Sequence, residues 1–375
     1  MHAKPLPPAA APGYLTEALR RCGALGDGVV GAVAVDTDRD TIASRILRLR
    51  LSYHRATDAA PRSLILKTIL PARADSKWVA GRQEVAFYRT VAAAMPRAPV
   101  PRCFDAHWEA ATNDWHLLLE DLSETHATLG NWPLPPSFEQ SRAIVAAWAR
   151  FHAGWWDDAR LGASVGAWIE YGEERTAALE YAVERFAARL GDRLEPGRFD
   201  TYRRLIDATP RLYRRYTAHR HLTIVHGDAH VWNLFLPQAE DSDDIRFFDW
   251  DTWRLGIAAS DLAYMMALHW FPEHRRRAER SLLDHYHAVL LAHGVVGYDR
   301  PALDEDYRLS VLWQLTTPVW QSFYDIPPWI WWNHLERIFA AVDDLGCREL
   351  FRLDDQDAAA SCVRDLWASC GSIAS

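Results

Sequence analysis

A chain of 375 residues, 49% hydrophobic and 25% charged, exceeds the usual size of a single core, so two lobes or domains are expected, with disorder confined to the Pro/Ala-rich Met1–Gly13. A net charge of −8 argues against broad nucleic-acid binding, which needs a concentrated basic face; the run Arg275-Arg276-Arg277 is flanked by acids and reads as a solvated helix face. No stretch approaches the ~20 apolar residues of a membrane span and no basic segment leads into an apolar run, so a soluble cytoplasmic protein is expected.

In chain order, Val29 to Val35 is a valine-rich strand, and the polar cluster Asp36-Thr37-Asp38-Arg39-Asp40 reads as the turn after it. Leu47, Leu49, Leu51 and Tyr53 alternate with polar residues, the period of a half-buried second strand. Ser63 to Leu70 predicts a third strand, Gln83 to Ala94 a helix, and 102–108 with 115–119 a strand pair. Ser137 with Gln140 resembles a capping box, and Ile144, Trp148, Phe151 and Trp155 then mark one helix face. Helical patterns follow at about 171–190, 200–219, 258–271, 274–293, 305–322, 331–344 and 356–369, interrupted by a strand-rich island at 222–250. The five cysteines, Cys22, Cys103, Cys347, Cys362 and Cys370, form no CxxC pair and are odd in number, which suits a reducing compartment.

The island holds the chemistry. It reads His226-Gly227-Asp228-Ala229-His230-Val231-Trp232-Asn233, followed by Phe247-Phe248-Asp249-Trp250-Asp251. Phosphoryl transfer from ATP needs one carboxylate near the attacking hydroxyl and oxygen ligands that hold Mg²⁺ against the phosphates. Kinase catalytic loops place their Asp and Asn five residues apart, with a second Asp later at a strand end. Asp228 and Asn233 have that spacing, and the apolar Ile245, Phe247 and Phe248 deliver Asp249.

This block resembles the catalytic motif of the aminoglycoside phosphotransferase and choline kinase superfamily, as do Phe151-His152-Ala153-Gly154-Trp155-Trp156 and Ser260-Asp261-Leu262-Ala263. The layout is similar to the ecdysteroid-kinase-like branch, over residues 25–345 or so. The resemblance implies an α+β, protein-kinase-like, two-lobed fold: a small β-rich lobe, 1–121, that binds nucleotide, and a larger, mainly helical lobe, 122–375, for catalysis and substrate. It implies ATP and Mg²⁺ as cofactors. Asp228 becomes the base or hydroxyl-orienting carboxylate, Asn233 and Asp249 the metal ligands, and His226 and Asp261 braces of the catalytic loop. Asp251 either faces the acceptor or caps the helix that follows, with the cap favoured.

The same fold requires a small-lobe lysine on the α- and β-phosphates and a helix glutamate to orient it. Lys67, a charge within a Leu/Ile strand, and Glu84 are the candidates. Ser44, Glu120 and Leu122 complete the expected nucleotide site. The phosphate-covering loop falls at Thr37 to Ser44, which lacks the glycines of the family pattern.

Three motifs are decoys. Gly26-Asp27-Gly28-Val29-Val30-Gly31 satisfies G-x-G-x-x-G but opens no helix, and reads as a helix stop and turn. Gly162-Ala163-Ser164-Val165-Gly166 follows a helix, where a nucleophile elbow would follow a strand. His226 and His230 have zinc-like spacing without the glutamate or the helix of HExxH.

Between Asp249 and the helix near Ala258 there is no room for a peptide-holding activation segment, which points to a small-molecule acceptor. No obligate protein partner, nucleic acid or membrane is expected. The tryptophans of the second half (Trp250, Trp253, Trp270, Trp313, Trp320, Trp329, Trp331, Trp332) read mainly as core, with Pro327–Trp332 as the best pocket wall. Asp251, Asp325 and Glu336 are a thin acidic set, so a hydrophobic hydroxylated acceptor is favoured over a polycationic sugar. Antibiotic-like, steroid-like and amino-alcohol acceptors all stay open. The rival reading is a nucleotide-binding pseudokinase with a regulatory or scaffold role.

Overall fold

A computed structural model describes residues 4–41, 44–55, 60–70, 81–130, 133–239, 242–324 and 326–352. The helix expected at 356–369, Cys362, Cys370, Asp325 and positions 42–43 of the Thr37–Ser44 loop lie outside them.

Helix α1 (Pro12–Arg21) precedes a five-stranded antiparallel sheet of order β1-β2-β3-β5-β4, built from β1 (Val29–Asp40), β2 (Ser44–Arg55), β3 (Ser63–Ile69), β4 (Cys103–Trp108) and β5 (Trp115–Glu120). The alternation in β2 and β3 decides the faces. Leu47, Leu49, Leu51, Leu64 and Leu66 are buried in one core with Leu15, Ala18 and Leu19 of α1. Lys67, one residue out of phase with Leu64 and Leu66, belongs to the opposite face.

Two expectations are corrected here. Asp36–Asp40 is strand, because its acids pair across β1–β2 with arginines: Arg50 with Asp36 at 2.6 Å and Arg45 with Asp38 at 2.8 Å. Among the described residues the chain is also ordered before Gly13: Ala9 and Ala10 are buried with α1 in the sheet's core. The i, i+3, i+4 spacing of Leu15, Ala18 and Leu19 behind Pro12 was the legible signal.

Helix α1 is pinned by a polar cluster. Asp105 on β4 accepts from Tyr14 Oη at 2.7 Å and Arg21 Nη2 at 3.1 Å, and lies 2.9 Å from His116 Nε2. Burial pushes the Asp105 carboxyl up, but bonds from His116, Tyr14 and Arg21 outweigh it and hold it well below the usual range. A carboxyl depressed in the folded state adds stability that is present above about pH 4 and lost as pH falls through the folded value. Asp105→Asn should therefore cost about 1–3 kcal/mol at pH 7 and flatten the acid limb below pH ~4. Urea unfolding at several pH values checks it; an acid limb as steep as the wild type's would contradict it.

Helix α2 (Arg82–Ala86) continues through a π turn (Phe87–Val91) and a 3₁₀ turn (Ala92–Ala94). After β6 (His126–Thr128), α3 (Phe138–Gly154) opens on the expected capping box: Ser137 Oγ accepts from Gln140 N at 3.1 Å, and Gln140 Oε1 accepts from Ser137 N at 2.9 Å. Its apolar face, with Ile144, Trp148 and Phe151, is buried, as is Trp155 just beyond its end. Helices α4 (Glu173–Leu190), α5 (Pro196–Leu212) and α6 (Arg214–Thr217) lead to the strand island: β7 (Thr223–Val225), β8 (Leu234–Pro237), β9 (Arg246–Phe247) and β10 (Arg254–Gly256). Then come α7 (Ala259–Ala263), α8 (Pro272–Ala292), α9 (Arg300–Gln314), α10 (Thr316–Gln321) and α11 (Pro328–Asp344).

Packing divides the chain into two compact units, one of residues 1–167, 223–255 and 288–295 and one of 168–222, 256–287 and 296–375. This grouping keeps α3 and the island together with residues 1–121, because α3 and the island stack on each other: Trp148 lies 3.7 Å from Phe247, ring to ring. In the second unit, Tyr202 of α5 donates to Leu315 O at 3.0 Å. Arg275, expected on a solvated face, is buried and ion-paired with Glu279 (2.7 Å) and Asp344, whereas Arg276 keeps an exposed position. Trp250, Trp253, Trp270 and Trp331 are core residues; Trp329 is 57% exposed. No described helix is long and apolar enough to cross a membrane.

Candidate active site

The period of β3 turns Lys67 away from the leucine core, toward two carboxylates. Its Nζ lies 2.6 Å from Glu84 Oε2 and 2.7 Å from Asp249 Oδ1, a residue 182 positions away in sequence. Glu84, in the first turn of α2, is 1% exposed; the Asp249 side chain is 46% exposed. Burial would lower the Lys67 ammonium, but Asp249 and Glu84 outweigh it and hold it charged. Lys67 in turn depresses the Asp249 carboxyl. Burial raises the Glu84 carboxyl and Asp249 adds to that, with Lys67 offsetting it in part.

Asp249 has φ +66°, a left-handed conformation that a non-glycine residue holds only when its surroundings impose it. They do. Phe248 N donates to Asn233 O at 3.0 Å, and Phe248 O lies 2.9 Å from His226 Nε2. The amide of Asp228 donates to His226 Nδ1 at 3.2 Å, so Nδ1 accepts and the ring's proton sits on Nε2, donating to Phe248 O. One neutral imidazole thus joins the Asp228 loop to the strand end that carries Asp249. Gly227 makes this turn possible: its φ is +83°, and a Cβ there would stand 2.5 Å from Thr252 O.

Asn233 closes the loop. Its Nδ2 donates to Asp228 O at 2.9 Å and Asp228 Oδ2 at 3.0 Å, which holds the carboxylate in place with its side chain 32% exposed. His230 Nε2 lies 3.5 Å from the same oxygen. From below, Trp148 of α3 lies edge-on to His226, and Thr223 Oγ1 donates to His152 O at 2.8 Å.

These donors suit Mg²⁺. The amide of Asn233 spends its N–H groups on Asp228 and keeps its oxygen, while Asp249 uses Oδ1 on Lys67 and has a second oxygen. Among the described residues no group of three or more His, Cys, Asp or Glu could cage a metal ion. Two hard oxygen donors without a cage fit an ion that takes its remaining ligands from phosphates and water.

The other expected positions lie as follows. Ser44 is buried at the β1–β2 turn, its amide accepted by Thr41 Oγ1 at 3.0 Å. Glu120, at the end of β5, accepts from Arg102 N at 3.1 Å through Oε2. Leu122 O accepts the amides of Thr125 and His126. Asp261 lies fully buried on α7, in the second compact unit. Asp251 caps a helix, but not the one that follows it: its Oδ1 accepts from Gly81 N at 2.8 Å, at the start of α2. Sequence reading also missed Thr252, whose Oγ1 donates to His226 O at 3.0 Å, and Phe87, stacked 3.9 Å from Trp250. Neither carried a local signal, since each acts on a partner remote in sequence.

The decoys resolve as read. Gly23 and Gly26 take positive φ in the turn after α1, the Gly162–Gly166 segment is a loop after α3, and His226 sits in no helix.

A family model described as "Phosphotransferase enzyme family" matches residues 48–304. Among solved structures, one described as a candidate aminoglycoside phosphotransferase from Ralstonia eutropha JMP134 is 16% identical, with a TM-score of 0.55, over 90% of this chain and 97% of that one. A choline/ethanolamine kinase family protein from Mesorhizobium loti (15% identity, 90% and 95% coverage, TM-score 0.48) and an ethanolamine kinase from Plasmodium vivax (10%, 85% and 83%, 0.48) are also similar. No curated protein matches. The fold is the α+β, two-lobed, protein-kinase-like one expected from the sequence.

Proposed function

The chain belongs to the phosphotransferase enzyme family, and from that membership we propose that it is an ATP- and Mg²⁺-dependent kinase that phosphorylates a hydroxyl group of a small molecule. The observation that carries the reading is the meeting of Lys67 with both Glu84 and Asp249, next to an Asp228–Asn233 pair tied by its own hydrogen bond. A pseudokinase has no use for all five. Their joint retention favours catalysis over a scaffold role.

The work divides among the residues. Lys67, kept charged and aimed by Glu84, binds the α- and β-phosphates as a point charge. Ser44 closes the turn over them, and Glu120 and Leu122 frame the base at the end of β5. Asp228 accepts the acceptor's hydroxyl proton or orients that hydroxyl in line with the γ-phosphate, and the Asn233 amide fixes its rotamer. Asn233 Oδ1 and Asp249 would hold Mg²⁺, which neutralises charge on the β- and γ-phosphates when bound. His226 braces the loop. Residues 1–121 serve as the nucleotide lobe and 122–375 as the catalytic and acceptor lobe.

For the acceptor, only the short stretch 250–258, which includes β10, lies between Asp249 and α7, too little for a peptide-docking segment. A hydroxylated, largely apolar molecule suits the aromatic-rich second half better than a polycation does. The test is ADP release from Mg²⁺-ATP against aminoglycosides, macrolides, steroids, choline and nucleosides, with Asp228→Asn as blank. Turnover with one class, absent in the variant, is the expected result. ATP binding with silence across a widened panel of alcohols would favour the pseudokinase, and failure to bind ATP would overturn the nucleotide assignment.

A further inference from the structure

The helix that bears Glu84 begins without a cap of its own. Its N-cap residue is Gly81, with φ +85° and no side chain; a Cβ there would stand 2.1 Å from the Trp115 indole. The first amides of a helix need acceptors, and a buried start without them is costly. The missing acceptor comes from 170 residues downstream. Asp251 Oδ1 accepts from Gly81 N at 2.8 Å, and the Glu84 amide is near enough to the same carboxyl to lower it. Burial raises the Asp251 carboxyl, and these two amides lower it in part.

Two more contacts run between the same segments. Trp253 Nε1 donates to Gln83 O at 2.8 Å, and Trp250 stacks on Phe87 at 3.9 Å with planes 10° apart. Asp249, Trp250, Asp251 and Trp253 therefore hold Lys67 and the first two turns of the Glu84 helix from a single strand end.

Resting on the kinase reading above, we propose that Asp251 is a positioning residue: it caps the Glu84 helix in trans and so locks Glu84, Lys67 and Asp249 into one nucleotide-ready unit. Asp251 acts through Glu84 and does not touch metal or acceptor.

Two variants and two readouts test this. Asp251→Ala removes the acceptor; Asp251→Asn keeps an oxygen that can accept the same amides. Hydrogen exchange at residues 81–86, read without any substrate, should quicken about tenfold in the Ala variant, in line with the loss of a helix cap. In the Asn variant it should stay within about threefold of wild type. In kinetics, the Ala variant should raise KM for ATP about tenfold with acceptor KM unchanged, and Asn should recover most of that loss. Unchanged exchange in Asp251→Ala overturns the cap. An Asn variant as impaired as Ala, with a higher Mg²⁺ requirement, makes Asp251 a metal ligand instead. A rise confined to acceptor KM places it against the acceptor. If exchange shifts as expected but the wild type binds no Mg²⁺-ATP, the kinase reading fails and the cap is only structural.

Discussion

Asp228→Asn is expected to lower turnover by about 10²–10⁴-fold, the range for loss of a positioned acid or base, with affinity for Mg²⁺-ATP nearly unchanged. The geometry separates the two quantities. Asp228 makes no contact with Lys67 or Glu84 among the hydrogen bonds described, and its oxygen is held by Asn233 and lies near His230. The substitution therefore replaces the carboxylate at the hydroxyl without disturbing the phosphate lysine. Single-turnover kinetics with the acceptor found in the panel, beside a titration of nucleotide binding, would measure both. Full turnover in the variant would remove Asp228 from the chemistry, and a parallel collapse of nucleotide binding would make its role structural.

The second large effect is on binding itself. Asp249→Asn should weaken Mg²⁺-ATP affinity by more than about tenfold, on the scale of losses at metal sites, and should make the residual affinity insensitive to chelation of Mg²⁺. The carboxylate has two tasks: one oxygen pairs with Lys67 at 2.7 Å, and the other is available to the ion. Lys67 keeps Glu84 at 2.6 Å in the variant, so the lysine stays anchored and the loss reports mainly on the metal. Because Lys67 depresses the Asp249 carboxyl, this group stays ionised down to the acid range, and wild-type affinity should not fall through its protonation between pH 8 and pH 5. Calorimetric titration with and without Mg²⁺ checks both points. Equal affinity in variant and wild type would exclude Asp249 from the metal site.

Much of this architecture was legible because its signals are local. Period-two alternation marks β2 and β3, and the same period sets Lys67 off the leucine face. The capping box of Ser137 and Gln140 starts α3 where it should. Errors arose where a partner decides. Asp36–Asp40 has turn composition, yet Arg45 and Arg50 on the neighbouring strand make it strand. Arg275 sits in a basic run, yet Glu279 and Asp344 let it be buried.

The candidate site divides the same way. By itself the sequence determined the reaction class, through the five-residue spacing of Asp228 and Asn233 and the apolar strand that delivers Asp249. Such spacings survive folding because the chain between them is too short to rearrange. Only the tertiary structure decided which charge meets which: Lys67 with Asp249 across 182 residues, and Asp251 with the start of the Glu84 helix across 170. Those pairings depend on how sheet, helix and strand end pack together, and a buried charge or an uncapped helix accepts whichever partner that packing brings within hydrogen-bond reach.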